Sequence, residues 1–245
     1  MYRALTWGVM PLTLPFFAWH PRLRGGLGQR FGRLPSRVEH FRQGIWYHGA
    51  SAGDCNAILP LAQRSATVHP VVLTSFTRSG AEMLRSRLDP EDKRLLALRA
   101  PLEVGFAVER FFSRLRPRLL VLECLELWPL WIAAAARHGV PVAIVNGRLS
   151  ARSLSRYRRA PKVFSSLFAS LRLVVALGRD EAARFVQAGV PASRVVTSSS
   201  TKHGAQHLEQ GFSRRRSPKI VLGSVHASEL RAILPGLLAR LPRES

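Results

Sequence analysis

The residues best suited to chemistry in this 245-residue chain begin at Ser51-Ala52-Gly53-Asp54, a hydroxyl and a carboxylate separated by two small residues. The stretch follows the apolar run Ile45-Trp46-Tyr47 and precedes an apolar helical pattern, so it reads as a strand, a glycine turn and a helix start. Small side chains let a ligand approach the backbone, and a helix start offers free N–H groups and a potential that favours negative charge. A carboxylate at that place is either a cap or a reagent, and the residue types leave both open. Thr74-Ser75-Phe76-Thr77-Arg78-Ser79-Gly80 is a second cluster, rich in hydroxyls. A helix cap at Ser79 would explain one hydroxyl but not the whole group, so Thr77 and Gly80 are candidates for binding. Glu126-Leu127-Trp128-Pro129 sets a carboxylate beside a proline suited to a first helical turn, with Trp128 read as core. Asn146, Arg148, Ser150, Arg152, Ser153 and Tyr157 gather an amide, hydroxyls and guanidiniums that could hold phosphate or sugar groups, although a solvated helix face has the same composition. Ser224, His226 and Glu229 repeat the strand-to-helix format, for which a capping serine and an exposed histidine are an equal account. HExxH, paired CxxC, a Walker lysine and a spaced GxGxxG are all lacking in the sequence, which argues against metalloprotease, NTPase and dinucleotide chemistry.

The elements that must position these residues alternate. Strand-like apolar runs are predicted at 45–48, 71–74, 95–98, 119–122, 142–145, 173–176 and 195–197, with helical stretches at 56–65, 80–88, 104–115, 127–138 and 180–188. Strand followed by helix at this spacing predicts an α/β, Rossmann-like parallel sheet with helices on both faces. Ligands of such sheets bind beyond the carboxyl ends of the strands. The clusters at Ser51, Thr77, Glu126 and Asn146 all follow strands, so four loops are expected at one edge.

Composition sets the outer limits. Hydrophobic residues make up 47%, ample for a core, while 37 Lys and Arg against 15 Asp and Glu give a net charge of +22. Such an excess reflects either an anionic partner (nucleic acid, an acidic membrane surface, a phosphorylated substrate) or a GC-rich coding sequence. No recognition motif supports nucleic acid, and aromatics are not interleaved with the arginines as in single-strand binders. Cys55 and Cys124 have neither disulfide nor metal spacing, which fits a reducing compartment. Residues 1–33 are apolar and aromatic (Trp7, Phe16, Phe17, Trp19), then basic, with Pro11 and Pro15 in a stretch short for a span. They are read as a monotopic membrane anchor, a helix packed on the chain's own core being the alternative. The expected organisation is this anchor, a main domain over 34–205, a polar linker over 206–218 and the opening of a second domain over 219–245.

In order along the chain, HGASAGD, LTSFTRSG, APLEVGFAVERFF, ELWP, VNGRLSARSLSRY and GSVHASE resemble the motifs of the 3-deoxy-D-manno-octulosonic-acid (Kdo) transferase family. That resemblance implies the N-terminal half of a GT-B glycosyltransferase, bound to the cytoplasmic face of the inner membrane and needing neither metal nor cofactor. The implied reaction moves Kdo from a CMP-Kdo donor to the lipid A precursor, the acceptor sitting in the N-terminal domain and the donor in a C-terminal one. The family's catalytic glutamate, last in HxxSxGE, falls on Asp54. Ser51, Gly53, Thr77, Gly80, Glu126, Asn146, Lys202, His226 and Glu229 fall in or beside the matching motifs and are substrate-binding candidates, and side-chain chemistry adds Arg148, Ser150, Arg152 and Ser153 for acceptor phosphate or sugar groups. Cys124 stands where the family's ETELWP begins, Lys202 is all that matches its GNxK element, and Val225 replaces the threonine of STHxGE. A non-catalytic module holding an anionic lipid or glycan is the alternative function.

Overall fold

The computed structural model describes residues 26–201. The aromatic N-terminal stretch, the linker and the elements expected beyond it, with Lys202, His226 and Glu229, lie outside the described residues.

A one-turn helix α1 (Leu27–Arg30) and a 3₁₀ helix (Ser36–Phe41) precede the alternating part. There β1 (Ile45–Gly49), α2 (Ala52–Ala66), β2 (Val71–Ser75), α3 (Arg78–Arg87), β3 (Leu95–Arg99), α4 (Gly105–Leu115), β4 (Leu119–Glu123) and α5 (Pro129–Arg137) follow one another. The chain continues through β5 (Val142–Gly147), α6 (Ala151–Arg158), α7 (Pro161–Ser170), β6 (Leu173–Ala176), α8 (Arg179–Ala188) and β7 (Val195–Thr197). All seven strands pair in parallel in the order β3-β2-β1-β4-β5-β6-β7. The expected parallel sheet is therefore present.

Burial on both faces explains why the strands read as continuous apolar runs rather than alternating ones. On one face Trp46, Leu120, Leu122 and Ile144 meet Phe111, Phe112, Trp131 and Phe168. Trp46 is the hub, its ring centroid 5.6 Å from Phe111, 5.3 Å from Phe112 and 5.0 Å from Trp131. On the other face Tyr47, Leu73 and Val121 meet Cys55, Ile58 and Ala62 of α2 and Leu84 of α3. None of the described helices is long and apolar enough to cross a membrane.

Strands run a residue or two beyond the apolar stretches. Ser75, Arg99 and Glu123 end β2, β3 and β4 while buried, and buried Asn146 is the last but one residue of β5, so polar residues lie at the carboxyl edge. Helix α2 begins four residues before the predicted 56, because Ser51 caps it. Helix α7, which opens with Pro161 at its first turn, has no counterpart among the predicted helices.

Candidate functional site

Strand order reverses at β1, whose neighbours are β2 on one side and β4 on the other, and the crevice beyond their carboxyl ends is where a doubly wound sheet binds ligands. Ser51 and Asp54 occupy its floor in a capping box. The Ser51 hydroxyl accepts from the Asp54 N–H at 3.3 Å, while Asp54 Oδ2 accepts from the Ser51 N–H at 2.9 Å and from the Ser51 hydroxyl at 2.6 Å. Asp54 is half-buried, and among the described residues nothing bonds its Oδ1. The carboxylate is thus a cap through one oxygen and open through the other.

The β1 and β2 loops are knitted by one carbonyl. Ala50 O accepts from Phe76 N–H at 3.2 Å, Thr77 N–H at 2.8 Å and the Ser75 hydroxyl at 3.1 Å. Thr77, not Ser79, caps α3, accepting from the Gly80 N–H at 3.2 Å. A Cβ at Gly80 would stand 2.0 Å from Ser75 Oγ and 3.1 Å from the Ser51 carbonyl carbon, so the two loops approach as closely as only glycine permits. Gly49 is also confined, since a Cβ there would stand 2.7 Å from Cys55 N, whereas Gly53 is exposed and a Cβ there would meet nothing nearer than Ser51 Oγ at 3.7 Å.

On the other side of β1, the chain leaves β4 and β5 through left-handed residues, Cys124 at φ 58° and Asn146 at φ 51°. Such geometry is strained for a cysteine and tolerated by asparagine, and it turns both loops toward the crevice. Glu126 lies close enough to Asp54 to feel its charge, and burial first, then that charge, pushes its carboxyl above the usual range. Burial and the Glu123 charge raise the Cys124 thiol, with Arg148 pulling the opposite way. Asp54, Glu123, Glu126, Cys124 and Arg148 therefore share one neighbourhood. No group of three or more His, Cys, Asp or Glu among the described residues is placed to hold a metal ion.

Asn146 is bonded within the chain. Its amide donates to Thr201 Oγ1 at 2.7 Å and to Glu123 Oε1 at 3.3 Å, while its Oδ1 accepts the Thr201 N–H at 2.9 Å. The Thr201 hydroxyl in turn donates to Ala57 O on α2 at 2.7 Å, tying the segment after β7 across the crevice floor. Ser150 caps α6 through the Ser153 N–H at 3.1 Å, and Ser153 Oγ also accepts from Arg156 at 3.2 Å. Arg148 and Arg152 are exposed, free to meet an anion from solvent. Tyr157 of α6 feels the Glu126 charge, which brings that helix to the same crevice.

Two groups escape notice in the sequence. His48 is fully buried, bonded through Nδ1 to the Thr74 hydroxyl at 2.9 Å and packed edge-on against Trp131 at 4.8 Å. Burial pulls it down to about 3, so it is neutral and works as packing beneath Asp54 rather than as an acid. Glu103, half-buried in the loop before α4, accepts the Leu130 N–H at 2.7 Å and so caps α5, where Pro129 has no N–H to offer. A cap supplied from 27 residues away carries no local signature.

Comparison with known proteins adds a family. The one described as 3-deoxy-D-manno-octulosonic-acid transferase (kdotransferase) matches residues 25–205. Among curated proteins, the chain is 27% identical over 209 residues to the 3-deoxy-D-manno-octulosonic acid transferase of Haemophilus influenzae, covering 82% of this chain and 48% of that one. It is 30% identical over 256 residues to the probable mitochondrial 3-deoxy-D-manno-octulosonic acid transferase of Arabidopsis thaliana, covering 96% and 56%. The chain thus spans about half the length of the curated relatives it matches. Among solved structures, UDP-GlcNAc 2-epimerase from Neisseria meningitidis aligns with a TM-score of 0.48 at 11% identity, over 64% of this chain and 46% of that one.

Proposed function

Because the chain belongs to the Kdo transferase family, matching it over residues 25–205, we propose that it forms the acceptor side of a Kdo transfer from CMP-Kdo to the lipid A precursor, within a GT-B arrangement. The observation that carries this reading is the state of Asp54. It occupies the family's catalytic position at the β1–β4 crevice, holds its helix through Oδ2 and leaves Oδ1 without a partner among the described residues.

In the proposed reaction Oδ1 takes the proton from an acceptor sugar hydroxyl as that oxygen attacks the anomeric carbon of Kdo. The bond from that carbon to the CMP phosphate breaks, and CMP leaves with its electron pair. A general base must come within about 2.6–3.2 Å of the hydroxyl, and Asp54 is one methylene shorter than the family's glutamate. The acceptor must therefore sit deeper over the Ser51 turn, which the small residues 49–53 permit. The Ser51 bonds to Oδ2 fix the carboxylate without occupying Oδ1, an orientation that costs no reorganisation during the reaction. Glu126, whose carboxyl burial and then the Asp54 charge push above the usual range, lies beside the base as a hydrogen-bonding partner for the acceptor sugar. Arg148 and Arg152 supply cations for acceptor phosphates. Lys202, His226 and Glu229 would serve the donor side, and the donor CMP-Kdo is bound by the partner domain that the family places after this one.

Location follows the same reading. The charge of +22 and the aromatic, basic N-terminus suit the cytoplasmic face of the anionic inner membrane. Transfer of Kdo to lipid A precursor in membranes, with this chain and a donor domain supplied, is the direct test, and absence of product removes the proposal. A second reading, a non-catalytic module that holds an anionic lipid or glycan, is favoured by the capping box itself, since capping alone accounts for a carboxylate at this position. Retained glycolipid binding without transfer would select it.

A further inference from the structure

Arg30 and Arg99 are buried, 0% and 3% exposed, yet among the described residues no carboxylate pairs with either. Arg30 donates through Nη2 to Phe76 O and lies over the Phe76 ring, its guanidinium carbon 4.7 Å from the centroid. Arg99 donates through Nη1 to the next carbonyl, Thr77 O. Among the described residues each guanidinium makes that one bond, and Arg30 Nε and Nη1 with Arg99 Nε and Nη2 are buried without a hydrogen-bond partner there. The two charges are also close enough to disfavour each other. The Glu82 carboxylate favours Arg99 from a distance but is itself paired with Arg78 at 2.6 Å.

Two like charges with four unsatisfied nitrogens are costly to bury unless something compensates them, because a buried charge needs a counter-charge and its donors need acceptors. Elsewhere in the described residues arginines find theirs: Arg42 and Arg114 share Glu39, and Arg137 takes Glu109. A cavity of about 30 Å³, lined by Gln29, Ala81, Arg85, Ala97 and Leu98, lies against β3, the strand that Arg99 ends, and Arg85 at its wall is a third cation that disfavours the Arg99 charge. Gly26 and Gly32 flank Arg30; a Cβ at Gly26 would stand 2.6 Å from Arg99 Cγ, so the N-terminal turn closes tightly over the pair.

The geometry points to an anion site behind the Phe76–Thr77 turn, in which Arg30 and Arg99 together take the oxygens of a phosphate group. Two forked guanidiniums with four spare N–H-bearing nitrogens match the acceptor-rich phosphate, and an occupied site would brace from behind the turn that supports Ser51 and Gly80. The assignment rests on the arginines alone and is independent of the proposed transfer.

Isothermal titration of the purified chain with inorganic phosphate, at fixed ionic strength, is expected to show saturable binding. In Arg30→Met and in Arg99→Met that binding weakens about tenfold or more, the loss that one charge-assisted bond represents. Thermal unfolding supplies a second readout. Without phosphate the variants unfold at or above the wild-type temperature, since an uncompensated buried charge has been removed, and with phosphate only the wild type shifts upward. Vesicles with and without phosphatidic acid then identify the source. If saturating phosphate reduces wild-type binding to the level of the double variant, the site takes a lipid phosphomonoester; if vesicle binding is unchanged while the thermal shift persists, the ligand is a soluble phosphate compound. The site is overturned by no saturable phosphate binding, or by variants that bind phosphate as tightly as wild type and unfold at lower temperature in both buffers, which would make the arginines braces of the turn alone.

Discussion

At the scale of single residues, the hydroxyl caps and the buried carboxyl make separable predictions. Ser51→Ala and Thr77→Ala each remove a side-chain acceptor from a helix start and should each cost ~1 kcal/mol in urea unfolding, typical of a lost N-cap. Glu103 behaves otherwise. Burial pushes its carboxyl up to about 7, the Leu130 N–H opposing. A folded-state value above the unfolded one means that the folded chain keeps this proton to higher pH. The stability it contributes is therefore full below the unfolded value of 4.5 and is lost as pH rises through about 7. Glu103→Gln, which keeps an oxygen for Leu130, should remove that loss and gain ~1–3 kcal/mol over wild type at pH 8, with little difference at pH 4. Equal pH dependence in the two proteins would show that Glu103 ionises as freely as in water. Residue types pointed to Ser51, Asp54 and Glu126, because a hydroxyl, a carboxylate and small residues at a strand end have few other uses. They did not separate Arg30 and Arg99 from the other basic residues, since only long-range packing buries those two.

At the scale of elements, the site depends on how closely two loops can pass. Gly80→Ala would set a methyl carbon 2.0 Å from Ser75 Oγ, and beyond that side chain the Ser51 backbone lies at 3.1 Å. Serine can rotate but the backbone cannot yield as easily, so the substitution should cost ~1–3 kcal/mol and displace the Ser51 turn. Gly53→Ala, at an exposed helical position with open space, should instead be neutral or slightly stabilising in the same unfolding experiment. If both behave alike, loop contact is not what glycine supplies at Gly80. The seven strands were legible because a parallel sheet buried on both faces leaves continuous apolar runs. Their carboxyl ends were not, since buried Ser75, Arg99, Glu123 and Asn146 are polar and pair across the edge instead of packing. Helix α2 was predicted late for a related reason: its first turn is polar and small, and only the Ser51–Asp54 reciprocal bonds make it helix. The Asn146–Thr201 bond spans 55 residues, so nothing near Asn146 in the sequence signals it.

At the scale of the whole molecule, charge makes a prediction of its own. A net charge of +22 predicts association with anionic vesicles that weakens steeply as salt rises, because surface charges are screened beyond about 8 Å at physiological ionic strength. Co-sedimentation at low and high salt checks this, and removal of residues 1–21 separates the proposed aromatic anchor from the diffuse charge. Salt-insensitive binding that survives the deletion would contradict both.

The central claim is that Asp54 is the base for the acceptor hydroxyl, and transfer kinetics test it most directly. Kdo transfer from CMP-Kdo to lipid A precursor is to be measured in membranes for wild type, Asp54→Asn and Asp54→Glu, each with the donor domain supplied. Asparagine keeps an acceptor for the Ser51 N–H and hydroxyl, so the fold should hold while the rate falls ~10²–10⁴-fold, the scale of a lost general base. Asp54→Glu, which restores the family's residue, should transfer at least as fast as wild type. An Asp54→Asn protein that transfers at the wild-type rate would contradict the account and leave Asp54 as the cap of a helix.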